Sequence, residues 1–151
     1  MIRPIPIAPL VLGLAGLLPF LWGTLTILSA GFQDFAIGLL GPRFVGPYVQ
    51  LQYGTIILSF MSGVLWGFAT KSEGEEAAIG YGLSVIPALW AFFMVGNGPV
   101  SAAMNLIVGY VALLALDWHF WRRGLAPDWW MSLRLLLTAV VVLCLGLLVI
   151  G

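Results

Sequence analysis

Charged and aromatic side chains gather near the end of the chain, where Asp117, His119 and Arg134 interrupt apolar sequence. A carboxylate and a guanidinium away from water can bind an ionic substrate or relay protons, and they can equally form a structural salt bridge. We expect Asp117 and Arg134 to pair across adjacent helices, and we favour a structural pair over a substrate or proton site. His119 could titrate near neutral pH or ligate a metal or haem, but we favour an aromatic anchor at an interface.

The composition decides which elements must position these side chains. Of 151 residues, 62% are hydrophobic and 8% are charged, whereas soluble domains are about 45–50% apolar and about 25% charged. This excludes an ordinary globular enzyme and a disordered chain. Six basic and six acidic residues cancel, so no overall charge attracts nucleic acid. The single cysteine, Cys144, excludes an intramolecular disulfide and a cysteine-based zinc or redox motif.

Five apolar runs are long enough to cross a bilayer, which takes about 20 residues per helix. They cover approximately residues 9–30, 49–70, 77–95, 100–118 and 129–150. Pro19 should kink the first run, and Pro87 lies inside the third. The sequence therefore predicts an all-α integral membrane protein, a bundle of five transmembrane helices in a single domain spanning residues 1–151.

The connection between the first two runs, residues 31–47, mixes apolar side chains with glycine and proline. It is too short and too broken to span a membrane. We favour an interfacial loop or short helix on the outer surface over a re-entrant element.

Basic residues are distributed unevenly between the two sides of such a bundle. Arg43 falls on one side, and the other side carries Arg3, Lys71, Arg122, Arg123 and Arg134. Since cytoplasmic connections carry the excess of Lys and Arg, we expect a cytoplasmic N-terminus and an external C-terminus. The N-terminal region has no Arg- and Ser-rich amphipathic leader, which favours a bacterial inner membrane over an organelle.

Small and polar residues indicate where helices approach one another. Thr55, Ser59, Gly63 and Gly67 follow at intervals of four and form one flat face of the second span. We favour packing of this face inside the bundle over a homodimer interface. Asn105 is expected to hydrogen-bond across helices.

Catalytic motifs are missing from the sequence, which contains neither a phosphate-binding Walker loop nor a HExxH motif. Glu73, Glu75 and Glu76 lie beside Lys71 in a short connection, where a solvated turn is favoured over a metal site. We therefore expect no enzymatic activity, no catalytic residue, no cofactor and no bound metal.

Three ordered motifs resemble the transmembrane protein 69-like family, whose members occur in bacteria and mitochondria. The motifs are LGLAGLLPF at 12–20, YGTIILSF at 53–60 with Gly63 and WGFA at 66–69, and PDWW at 127–130 with Leu133, Arg134 and Thr138. Asp117 matches an acidic residue of the family, whereas Leu65 stands where the family pattern has a basic residue. The resemblance implies the five-span topology and marks residues, but it implies no reaction.

Trp66, Gly67, Asp117 and Arg134 come from three spans and lie toward the same predicted side, so we hypothesise that they converge on one pocket or docking surface. The leading hypothesis for function is an accessory, assembly or scaffold factor that associates with another membrane protein or with itself. The alternative is a binder or carrier of a small lipophilic ligand, such as a lipid, quinone or tetrapyrrole, in an intrabundle cavity. Ion conduction ranks last, because no polar path crosses the bilayer. A cavity that reaches Asp117 and Arg134 would favour a ligand site over a structural ion pair.

Overall fold

The computed structural model describes residues 4–151, which form eight α-helices and a short 3₁₀ turn without any β-strand. The helices are α1 (Ile7–Ala15), α2 (Leu18–Leu28), α3 (Ala30–Leu40), α4 (Tyr48–Ala69), α5 (Gly74–Ser84), α6 (Ile86–Met94), α7 (Pro99–Arg122) and α8 (Trp130–Ile150). The predicted all-α class is confirmed. Arg3, which contributed to the predicted orientation, lies outside the described residues.

Five stretches of the described chain are long and apolar enough to cross a bilayer. They are Ile7–Leu28, Tyr48–Ala69, Gly74–Met94, Pro99–Arg122 and Trp130–Ile150. The fourth stretch extends furthest beyond its prediction, to Arg122 instead of about residue 118. The apolar run ends at about residue 118, but the helical hydrogen bonds continue through the polar and aromatic residues up to Arg122.

Two of the five stretches are interrupted immediately before a proline. Pro19 follows the break between α1 and α2, and Pro87 follows the break between α5 and α6. Proline lacks an N–H and clashes with the preceding turn, so each helix restarts with the proline in its first turn. At the second break, the Ser62 hydroxyl of α4 accepts a hydrogen bond from the Ala88 N–H at 2.8 Å. The interruption predicted at Pro19 is therefore present.

The centre of the bundle is formed by α4 and α7. Helix α4 packs against α2, α5, α6 and α7, and α7 packs along α8. Five leucines from these central helices and α8 are completely buried: Leu58, Leu65, Leu106, Leu113 and Leu145. Lipid is as apolar as leucine, so close packing and hydrogen bonds hold such helices together.

The 31–47 connection is mostly helical. The Ser29 hydroxyl accepts the Phe32 N–H at 3.2 Å and caps the start of α3. Only Ala36 is buried within α3, and apolar side chains such as Leu39 and Leu40 are exposed. Eleven residues are too few to cross a bilayer, so the segment is a short helix packed on α2 and not an irregular loop.

A tight reversal joins α6 to α7 and makes them an antiparallel hairpin. The Asn105 side-chain amide of α7 donates to the carbonyl of Met94, the last residue of α6, at 2.8 Å. In return, the Trp90 indole of α6 donates to the Asn105 carbonyl at 2.7 Å. Asn105 thus hydrogen-bonds across helices, using a terminal carbonyl that α6 itself leaves without an N–H partner.

The α4–α5 and α7–α8 connections lie at the same end of the bundle. The Lys71 ammonium donates to the Leu125 carbonyl at 3.2 Å. Arg123 Nη1 lies 3.7 Å from Glu76 Oε1, with both side chains about half exposed. The basic residues of these connections therefore form one rim.

Candidate functional site

Asp117 and Arg134 form an ion pair inside the bundle. Arg134 Nε donates to Asp117 Oδ2 at 2.9 Å, and the two side chains are 6% and 0% exposed, respectively. The other carboxylate oxygen, Oδ1, accepts from the Trp130 indole N–H at 3.0 Å. Both contacts use the carboxylate as an acceptor, as expected for its ionised form, so the pair as a whole carries no net charge.

The turn between α7 and α8 brings the two charges to the same level. Gly124 follows α7 with a φ of +73°, a conformation that glycine adopts without strain. Its N–H donates to the Trp121 carbonyl and the Leu125 N–H donates to the Phe120 carbonyl, both at 3.0 Å. These are the two bonds of a Schellman motif, which ends the helix sharply. Helix α8 then returns along α7, so a residue before the turn meets a residue after it.

Trp130 connects this pair to α4. Its ring meets the Phe68 ring edge to face, with centroids 5.1 Å apart. Phe68 also contacts the Phe120 ring of α7 at 6.3 Å. The indole therefore fixes the carboxylate and packs in the core at the same time.

A cavity of about 340 Å³ lies beside the ion pair, between α1, α2, α4, α7 and α8. Its wall is almost entirely apolar and includes Leu17, Ile57, Leu133, Leu137 and Val141. The volume is at the lower end of the range for small-molecule sites, about 300–1,000 Å³. We call this space the intrabundle cavity.

The intrabundle cavity opens toward the outer surface of the bundle. Leu12 of α1 and Phe60 of α4 line it, and they are 72% and 64% exposed. Helix α1 has no buried residue along its length and covers the cavity from one side. It approaches α8 closely at Gly13, where an added Cβ would lie 3.2 Å from Leu137 Cδ1. Since this surface would face lipid, the opening leads into the bilayer.

Arg134 and Thr138 both line the intrabundle cavity, and each contains a buried polar atom without a hydrogen-bond partner among residues 4–151, namely Arg134 Nη2 and the Thr138 hydroxyl. The two residues are 5% and 4% exposed. They lie one turn apart on α8, which places them on the same helix face. Buried donors in native proteins are nearly always satisfied, so a pair beside a cavity indicates a polar site for a bound molecule.

Two tyrosines also line the intrabundle cavity. The Tyr110 hydroxyl donates to the Gly54 carbonyl at 2.7 Å and thereby ties α7 to α4. The Tyr53 hydroxyl lies beside the break between α1 and α2, 3.6 Å from the position of a Cβ added to Gly16. Tyr110 is thus a structural contact between two helices, whereas Tyr53 adds another polar side chain to the cavity wall.

The four residues hypothesised to converge do not all meet. Trp66 and Gly67 belong neither to the cavity wall nor to the ion pair. The Trp66 ring packs on Tyr81 of α5 at 4.5 Å, and both Trp66 and Gly67 are exposed. Successive residues of a helix point about 100° apart, so Phe68 points inward while the two residues before it point away. Asp117 and Arg134 therefore meet as an ion pair, of which only Arg134 lines the cavity, and the hypothesis is wrong for Trp66 and Gly67.

His119 lies outside the cavity wall. It is half-buried two residues after Asp117, and its ring meets the Phe120 ring at 5.5 Å. No group of three or more His, Cys, Asp or Glu residues within 4–151 is arranged to hold a metal ion.

The face of small residues on α4 does not pack inside the bundle, contrary to the favoured interpretation. Ser59, Gly63 and Gly67 are exposed, and Cβ atoms added to either glycine would meet nothing within 4 Å in the described chain. The Thr55 and Ser59 hydroxyls bond carbonyls of their own helix at 2.8 and 2.9 Å. Helix α4 turns its other side, with Leu58 and Leu65, toward α7 and the core.

Two residues of the site, Trp130 and Thr138, stand out in the sequence only as members of the family motif. Trp130, Arg134, Thr138 and Val141 follow at helical spacing and all line the intrabundle cavity. This periodicity is the signal that could have grouped them.

Comparison with known proteins identifies the family. Residues 5–150 match the family described as "Protein of unknown function (DUF3429)". The chain is 32% identical to transmembrane protein 69 of Xenopus tropicalis over 148 residues, which cover 95% of this chain and 54% of that protein. It is 29% identical to transmembrane protein 69 of Mus musculus over 139 residues, which cover 89% and 52%, respectively.

The chain thus spans about half the length of these two relatives. No solved structure matches it. The matched family covers nearly the whole chain, and the relatives carry the name expected from the three motifs. The chain therefore belongs to the transmembrane protein 69-like family, which is defined by the DUF3429 domain.

Proposed function

We propose that this multi-pass membrane protein is a non-catalytic binder of a small lipophilic molecule, which it holds in the intrabundle cavity. The observation that carries the proposal is that the cavity reaches Arg134, the basic member of the buried ion pair, whereas Asp117 lies behind Arg134 and does not line the cavity. An ion pair that served helix packing alone would need no cavity beside it. This favours the ligand-binding alternative over a purely structural role for the pair.

The chemistry of the wall supports a lipophilic ligand. Leu17, Leu133 and Val141 offer apolar surface, and the wall contains few polar side chains. The opening beside Leu12 and Phe60 faces the membrane, so a molecule dissolved in the bilayer can enter without crossing water. Small-molecule sites are typically apolar cavities with few polar groups.

The test is to measure lipophiles that copurify with the protein in nanodiscs, using solvent extraction and mass spectrometry. Leu137→Phe adds bulk to the cavity wall, and Leu136→Phe places the same bulk at an adjacent, exposed position. We expect the first variant to lose the copurifying molecule and the second to retain it at the wild-type ratio. Equal content in both variants, or none above the background of protein-free nanodiscs in the wild type, would contradict the proposal.

A second proposal, an accessory or assembly role through helix association, rests on the outward face of α4. Ser59, Gly63 and Gly67 present a flat strip to the membrane, on which a helix of a second copy or of another membrane protein could approach closely. In this proposal the ligand site and the association face lie on different sides of the bundle.

The particle mass in several mild detergents and nanodiscs tests this second proposal. Gly63→Leu should reduce an assembly to the 16.3 kDa chain. Gly82→Leu, on the exposed surface of α5, is the matched control and should leave the assembly intact. A wild-type protein that is monomeric under all these conditions would contradict an association role.

For the orientation, we propose a bacterial inner membrane with the rim of Lys71, Arg122 and Arg123 in the cytoplasm. The contacts Lys71–Leu125 and Arg123–Glu76 support one shared basic end. An excess of basic residues at one end favours its retention in the cytoplasm.

A further inference from the structure

We propose that the intrabundle cavity selects a neutral lipophile bearing a hydrogen-bond-accepting oxygen, of the kind found in an ester, ketone or quinone carbonyl, and holds this oxygen at Arg134 and Thr138. This inference rests on the proposed function, because it specifies the chemical class of the ligand. It follows from the donors, the charge and the shape of the cavity.

The donors define the polar end of the site. Threonine in a helix commonly bonds the carbonyl four residues earlier, as Thr55 does with Leu51 at 2.8 Å. The Thr138 hydroxyl makes no hydrogen bond to any described residue. Arg134 Nη2, one turn away on α8, makes none either. Leaving a buried donor unsatisfied is costly. An acceptor oxygen at this end of the site would supply the missing hydrogen-bond partner.

The charge of the site excludes an anionic head group. Asp117 already neutralises Arg134 at 2.9 Å, and Trp130 stabilises the same carboxylate. A bound carboxylate or phosphate would therefore bury an uncompensated negative charge next to Asp117, away from water. A carbonyl oxygen accepts the same hydrogen bonds and adds no charge.

The shape of the cavity gives the ligand a direction. Seven residues of α8 separate Arg134 from Val141, or about 10 Å at about 1.5 Å per residue. The wall beyond Thr138 on this helix is apolar at Val141, and the exposed Leu12 and Phe60 mark the exit to lipid. A ligand whose oxygen lies at Arg134 and Thr138 can therefore place its hydrocarbon against this apolar wall.

Water alone is a poor match for this cavity. A water molecule occupies about 30 Å³ and needs two to four polar partners, whereas the cavity measures about 340 Å³ and its wall is nearly all apolar. The apolar part of the wall gives further waters no hydrogen-bond partners, so it suits an apolar occupant.

Three probes of similar length test the inference: methyl nonyl ketone, decanoate and undecane. Each is titrated calorimetrically into wild-type protein in phosphatidylcholine nanodiscs, with protein-free nanodiscs measuring simple partitioning. We expect the ketone to bind roughly tenfold more tightly than the alkane, as one or two added hydrogen bonds would give. We expect decanoate at a pH where it is ionised to bind more weakly than the ketone.

Two variants assign this selectivity to Thr138. Thr138→Val keeps the shape and removes the hydroxyl, so it should weaken ketone binding about threefold to tenfold and leave alkane binding unchanged. Thr138→Ser keeps the hydroxyl and should preserve most of the preference for the ketone. Unchanged ketone binding in Thr138→Val, or tighter binding of decanoate than of the ketone, would overturn the inference.

Ether-linked nanodiscs distinguish two sources of the acceptor oxygen, because they lack ester carbonyls. If a bilayer ester is the natural occupant, the ketone should bind more tightly in ether-linked than in ester-linked nanodiscs. Equal binding in the two lipids assigns the site to a separate carbonyl compound.

Failure of the inference can be told from failure of the proposed function. If the ketone and the alkane bind equally and Leu137→Phe blocks both, the cavity binds lipophiles without selecting an oxygen, and only the inference fails. If no probe binds beyond partitioning, both fail.

Discussion

Arg134 Nε and Asp117 Oδ2 lie 2.9 Å apart inside the bundle, and the same arginine also forms part of the wall of the intrabundle cavity. One guanidinium thus links two transmembrane helices and borders the proposed ligand site.

The ion pair is testable by a double-mutant cycle with Asp117→Asn and Arg134→Gln. Each single change leaves a buried partner without its counter-ion and should cost about 3–5 kcal/mol of unfolding free energy. The double variant should lose less than the sum by about 1 kcal/mol or more. Unfolding in mixed detergent micelles measures these differences, and additive losses would show that the pair is not coupled.

The exposed pair of Arg123 and Glu76 is the matched control for that cycle. Its atoms are 3.7 Å apart and both side chains are about half exposed, so the coupling should stay below about 1 kcal/mol. A coupling as large as that of the buried pair would mean that burial is not what makes the Asp117–Arg134 contact strong.

Trp130→Phe tests the third member of the site. The change removes the indole donor that lies 3.0 Å from Asp117 but keeps an aromatic ring against Phe68. We expect a loss of about 1–3 kcal/mol in the same unfolding assay, since a hydrogen bond to a charged group is lost. Trp66→Phe, at an exposed position on α4, should cost less, and equal losses would argue against a specific role for Trp130.

The glycines of the bundle should divide into two classes. An added Cβ at Gly109 would lie 2.8 Å from Leu58 Cδ2 and 2.9 Å from Trp90 Cδ1, so Gly109→Ala should cost about 1–3 kcal/mol through overpacking. Gly63→Ala and Gly67→Ala should leave the stability unchanged or raise it by up to about 1 kcal/mol. A large loss at either α4 glycine in a monomeric preparation would contradict the outward orientation of this face.

Cysteine labelling tests the proposed orientation. In a Cys144→Ala background, Asn97→Cys should react with a membrane-impermeant maleimide in intact bacteria. Glu73→Cys, in the connection with Lys71, should react only after the cells are permeabilised. The reverse pattern would place the basic rim outside and contradict the expectation from basic residues.

Much of the fold could be predicted because the bilayer constrains it strongly. Long apolar runs must be helices when no water is present to satisfy the backbone, and the structure has five such stretches close to the predicted bounds. The sequence could also place the break at Pro19. The end of the fourth span was less predictable, because hydropathy falls at Trp118 while hydrogen bonding continues to Arg122.

The site was only partly predictable for a similar reason. The cost of buried charge pointed to Asp117 and Arg134 as partners. The direction of each helix face was not evident, because α4 is apolar on both its lipid side and its core side. From the sequence, Gly63 and Gly67 could therefore face either the core or the lipid. In the structure both glycines lie on the outer surface of the bundle. A cavity results from the packing of five helices together, which no local pattern specifies.

A high-resolution structure of the protein in lipid nanodiscs tests most directly whether the intrabundle cavity binds a lipophilic molecule, and the density in the cavity is the measurement. We expect continuous density of an elongated molecule along α8, with an oxygen within about 3.5 Å of Arg134 Nη2 and the Thr138 hydroxyl. Side chains collapsed into the cavity, or a lone water at these two donors, would contradict a lipophile site.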